Sequence, residues 1–153
     1  MIETVGSRRF PFAPGFIEGD LENLRSARLV GSRCRDCGVV LLGRRMRCEN
    51  CSSKNLDMEV FSSTGTIYTF TIQRYPPPPP FQASSPWVPR PIAWIDLDES
   101  GPRILAPIAC AADAVKMGAK VELFFEVGWT EASGEEAIVF GCRPCGSTTA
   151  ALT

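Results

Sequence analysis

Between positions 34 and 51 the chain reads CRDCGVVLLGRRMRCENC, which places four of its seven cysteines in two Cys-x-x-Cys pairs with ten residues between them. Each Cys-x-x-Cys turn can aim two thiolates at one ion, and a hairpin brings the two turns together. Cys34, Cys37, Cys48 and Cys51 would then fill a tetrahedral shell of soft sulfur ligands, the arrangement of a structural Zn²⁺ site. Rubredoxin-type iron and a redox dithiol draw on the same pattern and stay open as alternatives. Four thiolates leave no place for water or substrate, so one metal ion per chain is expected, in a structural role. Its binding energy becomes folding energy for a segment too small to hold itself together.

The remaining residues limit what chemistry can accompany that ion. With 153 residues the chain is one domain, or one domain plus a small module, and long enough to bury a core without staples. It has no run of apolar residues long enough to span a membrane. The opening MIETVGSRRFPFAPGF has no apolar stretch of the secretory kind. A cytoplasmic location is therefore expected, where paired cysteines serve metal or redox chemistry rather than a disulfide framework. The chain has no histidine, so Ser-His-Asp and Cys-His nucleophile arrangements cannot be assembled from it. The acids of DLDESG (Asp96, Asp98, Glu99) read as a solvated hairpin turn, and no Gly-rich phosphate loop is present. No catalytic residue is expected in this chain alone.

Charge is unevenly spread. Residues 1–51 carry nine arginines against six acids, whereas residues 52–153 carry seven lysines or arginines against eleven acids. Arg44, Arg45 and Arg47 sit between the cysteine pairs, where they either solvate a small ribbon or meet an anionic partner or ligand.

Along the chain, Asp20 to Leu29 (DLENLRSARL) has an N-cap aspartate and leucines on one helical face, which predicts a short amphipathic helix. RLVGSRC is extended, and GVVLLG suits one strand of a ribbon hairpin. Five strands follow, at Ser63–Gln73, Pro91–Leu97, Arg103–Cys110, Lys120–Val127 and Ala137–Phe140, with ADAVKMG forming a helical turn or two closed by Gly118. Five strands with a short helix between the third and fourth is the order of an OB-fold barrel. The expected division is an arm and helix over 1–30, a zinc ribbon over 31–57, a barrel over 58–145 and a flexible tail over 146–153.

The segment from Arg74 to Pro91 interrupts this order. Its five consecutive prolines predict a stiff polyproline II spacer, and it presents Phe81 and Trp87. These aromatics either fold back over a barrel end or anchor a partner. Cys142 and Cys145 in GCRPCG form a lone pair without further ligands, read as a chance spacing rather than a second metal or redox site, and Cys110 as a buried strand residue.

The ordered set LENLRSARLVGSRC, CRDCG, CENC, STGTIYTFT, the proline-rich loop, PRPIAWIDLDESGPRIL and VKMGAKVELFFEV resembles the zinc-ribbon OB-fold proteins associated with acyl-CoA enzymes, once grouped as a domain of unknown function. The likeness covers about residues 20 to 143. It implies a mainly β protein: a short N-terminal helix, a rubredoxin-like zinc ribbon and a five-stranded OB-fold barrel. It implies a non-catalytic accessory subunit that pairs with a thiolase-superfamily enzyme as a hetero-oligomer. Such partners include thiolases, hydroxymethylglutaryl-CoA synthase and steroid side-chain aldolases. The subunit would help shape the partner's acyl-CoA site, with Arg44, Arg45, Arg47, Phe81 and Trp87 as contact residues to the partner or to CoA. The competing readings are a nucleic-acid-binding OB-fold and ribbon module, disfavoured by the acidic barrel half, and a free-standing rubredoxin-like electron carrier.

Overall fold

A computed structural model describes residues 8–145 of the chain. Five strands come first: β1 (Arg9–Pro11), β2 (Ile17–Glu18), β3 (Arg28–Cys34), β4 (Val40–Leu42) and β5 (Leu56–Val60). Five more follow: β6 (Thr64–Gln73), β7 (Arg90–Leu97), β8 (Arg103–Pro107), β9 (Lys120–Thr130) and β10 (Glu136–Pro144).

Strands β2 to β5 make the ribbon sheet, with β3 at its centre. One edge of β3 pairs with β2 and then β4, the other with β5, all antiparallel. Gly31 sits where this sheet is tightest. A Cβ there would lie 2.0 Å from the Leu41 carbonyl oxygen and 2.6 Å from the Phe61 ring, so no side chain fits. Val30 is fully buried on β3, and β3 runs across the expected boundary at residue 30, as β5 does across that at 57.

The second sheet runs in the order β1-β10-β9-β6-β7-β8. A parallel bridge between Ile108 and Cys142 joins the end of β8 to β10 and closes the five strands β6 to β10 into a barrel. The period-2 pattern makes this possible. On β7, Pro91, Ala93, Ile95 and Leu97 are buried while the residues between them face outward, and Ile104 and Ala106 do the same on β8. Each of the buried isoleucines and the leucine among these contributes about 1.5–3 kcal/mol. Leu29 and Phe61 from the ribbon side join the same apolar cluster, so the two sheets share a core. Strand β1 adds a sixth, parallel member against the first half of β10, which the sequence pattern does not announce.

Two expected helices are corrected. In place of a helix over Asp20 to Leu29 there is one 3₁₀ turn at Leu24–Ser26, after which the chain enters β3. Local polar bonds outcompete the helical ladder: Asp20 Oδ1 accepts from the Glu22 amide, and Ser26 Oγ donates to the carbonyls of Asp20 and Asn23. Leu29 and Val30 gain more by pairing in the ribbon with their side chains buried. The segment ADAVKMG is a pair of turns rather than a helix. Gly118 does adopt the left-handed conformation (φ +79°), but its amide donates to the Ile67 carbonyl at 2.8 Å, across to β6. Val115 enters the core from this connection. The expected tail at 146–153 lies outside the described residues. Among the described residues, no helix is long and apolar enough to cross a membrane.

Candidate metal centre and its surroundings

The two Cys-x-x-Cys turns are built alike. The Gly38 amide donates to the Cys34 carbonyl and the Ser52 amide to the Cys48 carbonyl, each at 2.9 Å. A return bond follows in both, from the Cys34 amide to Val39 O at 2.9 Å and from the Cys48 amide to Ser53 O at 2.8 Å. The residue after each second cysteine is left-handed: Gly38 at φ +77° and Ser52 at φ +63°. Strand β3 delivers Cys34 to one turn, and β5 leads away from the other.

This geometry gathers all four sulfurs within 4.8 Å of one another. Cys34 Sγ lies 3.5 Å from Cys51 Sγ, and Cys37 Sγ lies 3.5 Å from Cys48 Sγ. A tetrahedron with metal–sulfur bonds of about 2.3 Å has edges of about 3.8 Å, so the cluster fits one such ion. The thiols also titrate unequally. The Asn50 side chain and the Val39 backbone pull Cys37 down to about 6. At Cys51 the Ser53 backbone favours the thiolate, but the neighbouring thiols, Cys34 foremost, and burial push the group up to about 12. Four thiolates this close repel one another unless a cation lies among them, so the donor set itself fits a metal ion. Cys34 and Cys48 are buried beneath, whereas Cys37 and Cys51 face solvent.

A polar shell braces the turns. Asp36 Oδ2 accepts from Ser53 Oγ and from Asn55 Nδ2, and Arg35 Nε donates to Asp57 Oδ1 at 2.8 Å. Ser32 Oγ, buried, donates to Gly43 O at 3.2 Å and accepts from the Arg45 amide at 3.0 Å, fixing the start of the second turn.

The arginines between the pairs have partners within the chain. Arg44 pairs with Glu18 at 3.6 Å, Arg45 with Glu49 at 2.8 Å, and Arg47 donates to Ser52 O at 3.3 Å. All three remain exposed on the ribbon. Met46, among them, is 92% exposed, an apolar side chain that charge counting passes over.

On the proline-rich loop, the structure separates the two aromatics. Trp87 Nε1 donates to Gln73 O at 3.2 Å, and the Arg90 guanidinium lies 5.1 Å from its ring, so Trp87 folds back on the end of β6. Phe81 meets Trp129 edge to face at 5.4 Å yet stays 42% exposed. The Pro79–Pro80 and Ser85–Pro86 bonds of the loop are cis.

Cys142 is fully buried in the barrel, and desolvation pushes its thiol up to about 12. It lies within β10, with Cys145 exposed just past the strand's end, and both are free thiols. Cys110 is partly buried rather than fully so.

Comparison with known proteins gives this architecture its relatives. Residues 22–57 match the family described as the ChsH2 rubredoxin-like zinc ribbon domain, and residues 59–126 the ChsH2 C-terminal OB-fold domain. A protein named "DUF35 domain-containing scaffold protein" from Pyrococcus furiosus is 34% identical over 97 residues, covering 63% of this chain and 67% of the relative. A scaffold protein of the same name from Methanothermobacter thermautotrophicus is 31% identical over 113 residues, covering 72% and 80%. A Thermomonospora curvata protein named "Probable enoyl-CoA hydratase alpha subunit" is 28% identical over 114 residues, which span 74% of this chain but only 33% of that protein. Among solved structures, a chain of the "Ltp2-ChsH2(DUF35) aldolase" superposes with a TM-score of 0.56 at 26% identity, covering 76% of this chain and 84% of that one. With ribbon and barrel both matched, in order and over most of the described residues, the chain belongs to the DUF35 family of ChsH2-type zinc-ribbon and OB-fold proteins.

Proposed function

We propose that this chain is the non-catalytic accessory subunit of a thiolase-superfamily acyl-CoA enzyme, carrying one structural Zn²⁺ on Cys34, Cys37, Cys48 and Cys51. The observation that supports the reading is the likeness, over 76% of this chain and 84% of the other, to a chain of the "Ltp2-ChsH2(DUF35) aldolase". The lack of any histidine agrees with it, because acyl transfer at a cysteine needs a general base that a partner would supply.

Bound zinc would supply no reactive position; it would cross-link the two turns and hold the ribbon's outer surface in one shape. That surface offers Met46 with Arg44, Arg45 and Arg47 around it. The loop adds Phe81 and its exposed neighbours Tyr75 and Val88. Exposed aromatic, methionine and arginine side chains are the types enriched in interfaces. In this reading Arg44, Arg45 and Arg47 meet acidic groups of the partner or the phosphates of its CoA thioester. Trp87 shapes the loop from behind. The reducing cytosol suits a site whose ligands must remain thiolates.

The test is co-expression with a thiolase-superfamily subunit from the same source. The expected result is co-elution, one zinc per copy of this chain by elemental analysis, no acyl-CoA turnover by this chain alone and turnover by the pair. Separate elution, or turnover by this chain in isolation, contradicts the reading. Salt-dependent binding to single-stranded nucleic acid would favour the competing OB-fold function.

A further inference from the structure

A pocket of about 500 Å³ opens where the N-terminal strand, the ribbon and the barrel meet. Its wall is apolar. Phe12 and Phe16 stand edge to face at 5.7 Å, and Phe12 also meets Phe140 at 5.7 Å. Leu42 from the ribbon and Leu105 from β8 extend this lining, and Phe81 closes one side from the proline-rich loop.

Two charged side chains enter it, Arg90 and Glu126. They attract one another across the space, yet they are not among the ion pairs closer than 4.0 Å found in the described residues. Arg90 is held at its base, with Nε donating to Gln73 Oε1 at 3.5 Å and its guanidinium over the Trp87 ring. Its two terminal nitrogens have no acceptor among the described residues. Partial desolvation raises the Glu126 carboxyl, an effect that Arg90 opposes.

The size matches small-molecule sites, and the apolar lining selects an alkyl or aryl body. The two charges then choose the head group. A carboxylate head would face Glu126, and an ammonium head would face Arg90, each a like-charge contact. An uncharged head that accepts from Arg90 and donates to Glu126 satisfies both. We infer that this pocket binds a neutral amphiphile, with an apolar body against Phe12, Phe16 and Phe140 and an amide or hydroxyl head between Arg90 and Glu126. The inference is independent of the enzyme partner and holds whichever subunit the chain joins.

Three probes with one hexyl tail test it on the zinc-loaded full-length chain: N-hexylacetamide, hexanoate and hexylamine, followed by amide chemical shifts in NMR. The acetamide should give saturable shifts at Ile92, Val127 and Phe140 and bind about tenfold tighter than either charged probe. Arg90→Gln should move the preference toward hexylamine, and Glu126→Gln toward hexanoate. Leu105→Trp, at a position 46% exposed and so tolerant of size, should fill the pocket and abolish the shifts at an unchanged melting temperature. Equal affinity for all three probes, no saturable shift from any, or an unaltered preference in both charge variants overturns the inference.

Discussion

The ribbon and the barrel solve the same problem with different means. The barrel packs Ile67, Ile95, Ile104, Ile108, Val121 and Leu123 into a closed apolar cluster. The ribbon's own members of that cluster, Leu29 and Phe61, lie on the side that faces the barrel. Its far end has two buried cysteines, hydrogen-bonded turns and solvent-facing ion pairs such as Arg35–Asp57. Surface pairs of that kind are worth about 0–1 kcal/mol each. The difference teaches where each half keeps its stability: the barrel in apolar area, the ribbon in a metal cross-link and in its seam with the barrel.

Removing the metal should therefore produce the largest effect and confine it to one half. A structural Zn²⁺ held by four thiolates contributes roughly 10 kcal/mol or more in small isolated ribbons. Chelation, or Cys34→Ser, should expose the amides of Arg35 to Asn55 to hydrogen exchange while those of β6 to β9 stay protected. Uniform loss of protection would break the comparison by making the barrel depend on the ion.

The converse change comes second. Ile95 is fully buried at the centre of β7, so Ile95→Ala should cost about 2–5 kcal/mol. Denaturant unfolding should show that loss with zinc stoichiometry unchanged in the folded protein. A variant that folds but loses its zinc would mean that the shared residues Leu29 and Phe61 couple the halves more tightly than their separate sources of stability suggest.

How much of this was legible beforehand follows the same divide. The first barrel strand announces itself by alternation, the other four as short apolar runs bounded by turn residues, and the metal site by its cysteine spacing, because all are local regularities. Strands β1, β2 and β5 escape notice. They are two to five residues long: RFP and IE are too short to show a period, and LDMEV alternates for only five residues, two of them the strand-poor Asp57 and Glu59. DLENLRSARL has helical spacing, but spacing carries no information about Ser26 Oγ capturing two carbonyls or β3 claiming Leu29. The pocket was invisible for another reason. Phe12, Leu42, Phe81, Arg90 and Glu126 lie far apart in the chain, and only the meeting of arm, ribbon, loop and barrel joins them.

Trp87 belongs to neither half and sharpens the contrast at the loop. Losing its hydrogen bond to Gln73 O and its contact with Arg90, Trp87→Ala should cost about 1–2 kcal/mol in the free chain. Co-purification with a partner should weaken only in proportion to that loss. A fall in affinity at unchanged melting temperature would instead make Trp87 a direct anchor.

Acid should act on both halves with the same sign. Asp57 is held below its ordinary value of 3.8 by the Arg35 hydrogen bond, Asp96 by that of Arg103, and Asp98 by Thr64 and then Lys120. Depressed folded values mean that this stabilisation is complete above the unfolded value and is lost as pH falls through the folded one. All three groups are well solvated, so the direct effect is small. The ribbon has the additional burden of protonating thiolates, which releases metal. Protection in Arg35 to Asn55 should thus fail at higher pH than protection in β7. Asp96→Asn should flatten only the barrel's acid limb.

The smallest effect compares the two turns of the ribbon with each other. Gly38 and Ser52 occupy equivalent positions, both left-handed, at φ +77° and +63°. An L side chain in that region costs about 1 kcal/mol, a strain that glycine escapes. A Cβ at Gly38 would meet nothing within 4 Å, so Gly38→Ala isolates the backbone term and should destabilise the zinc-loaded protein by about 1 kcal/mol. Ser52 uses its amide and carbonyl in the turn, while its exposed side chain makes no hydrogen bond among the described residues. Ser52→Gly therefore relieves the strain and surrenders only the extra entropy of an unfolded glycine, a net gain of about 0.5 kcal/mol. Thermal melting of the two variants should shift in opposite directions. If both melt lower, the Ser52 turn is held by something other than its backbone conformation, and the two halves of the metal site are not the same device.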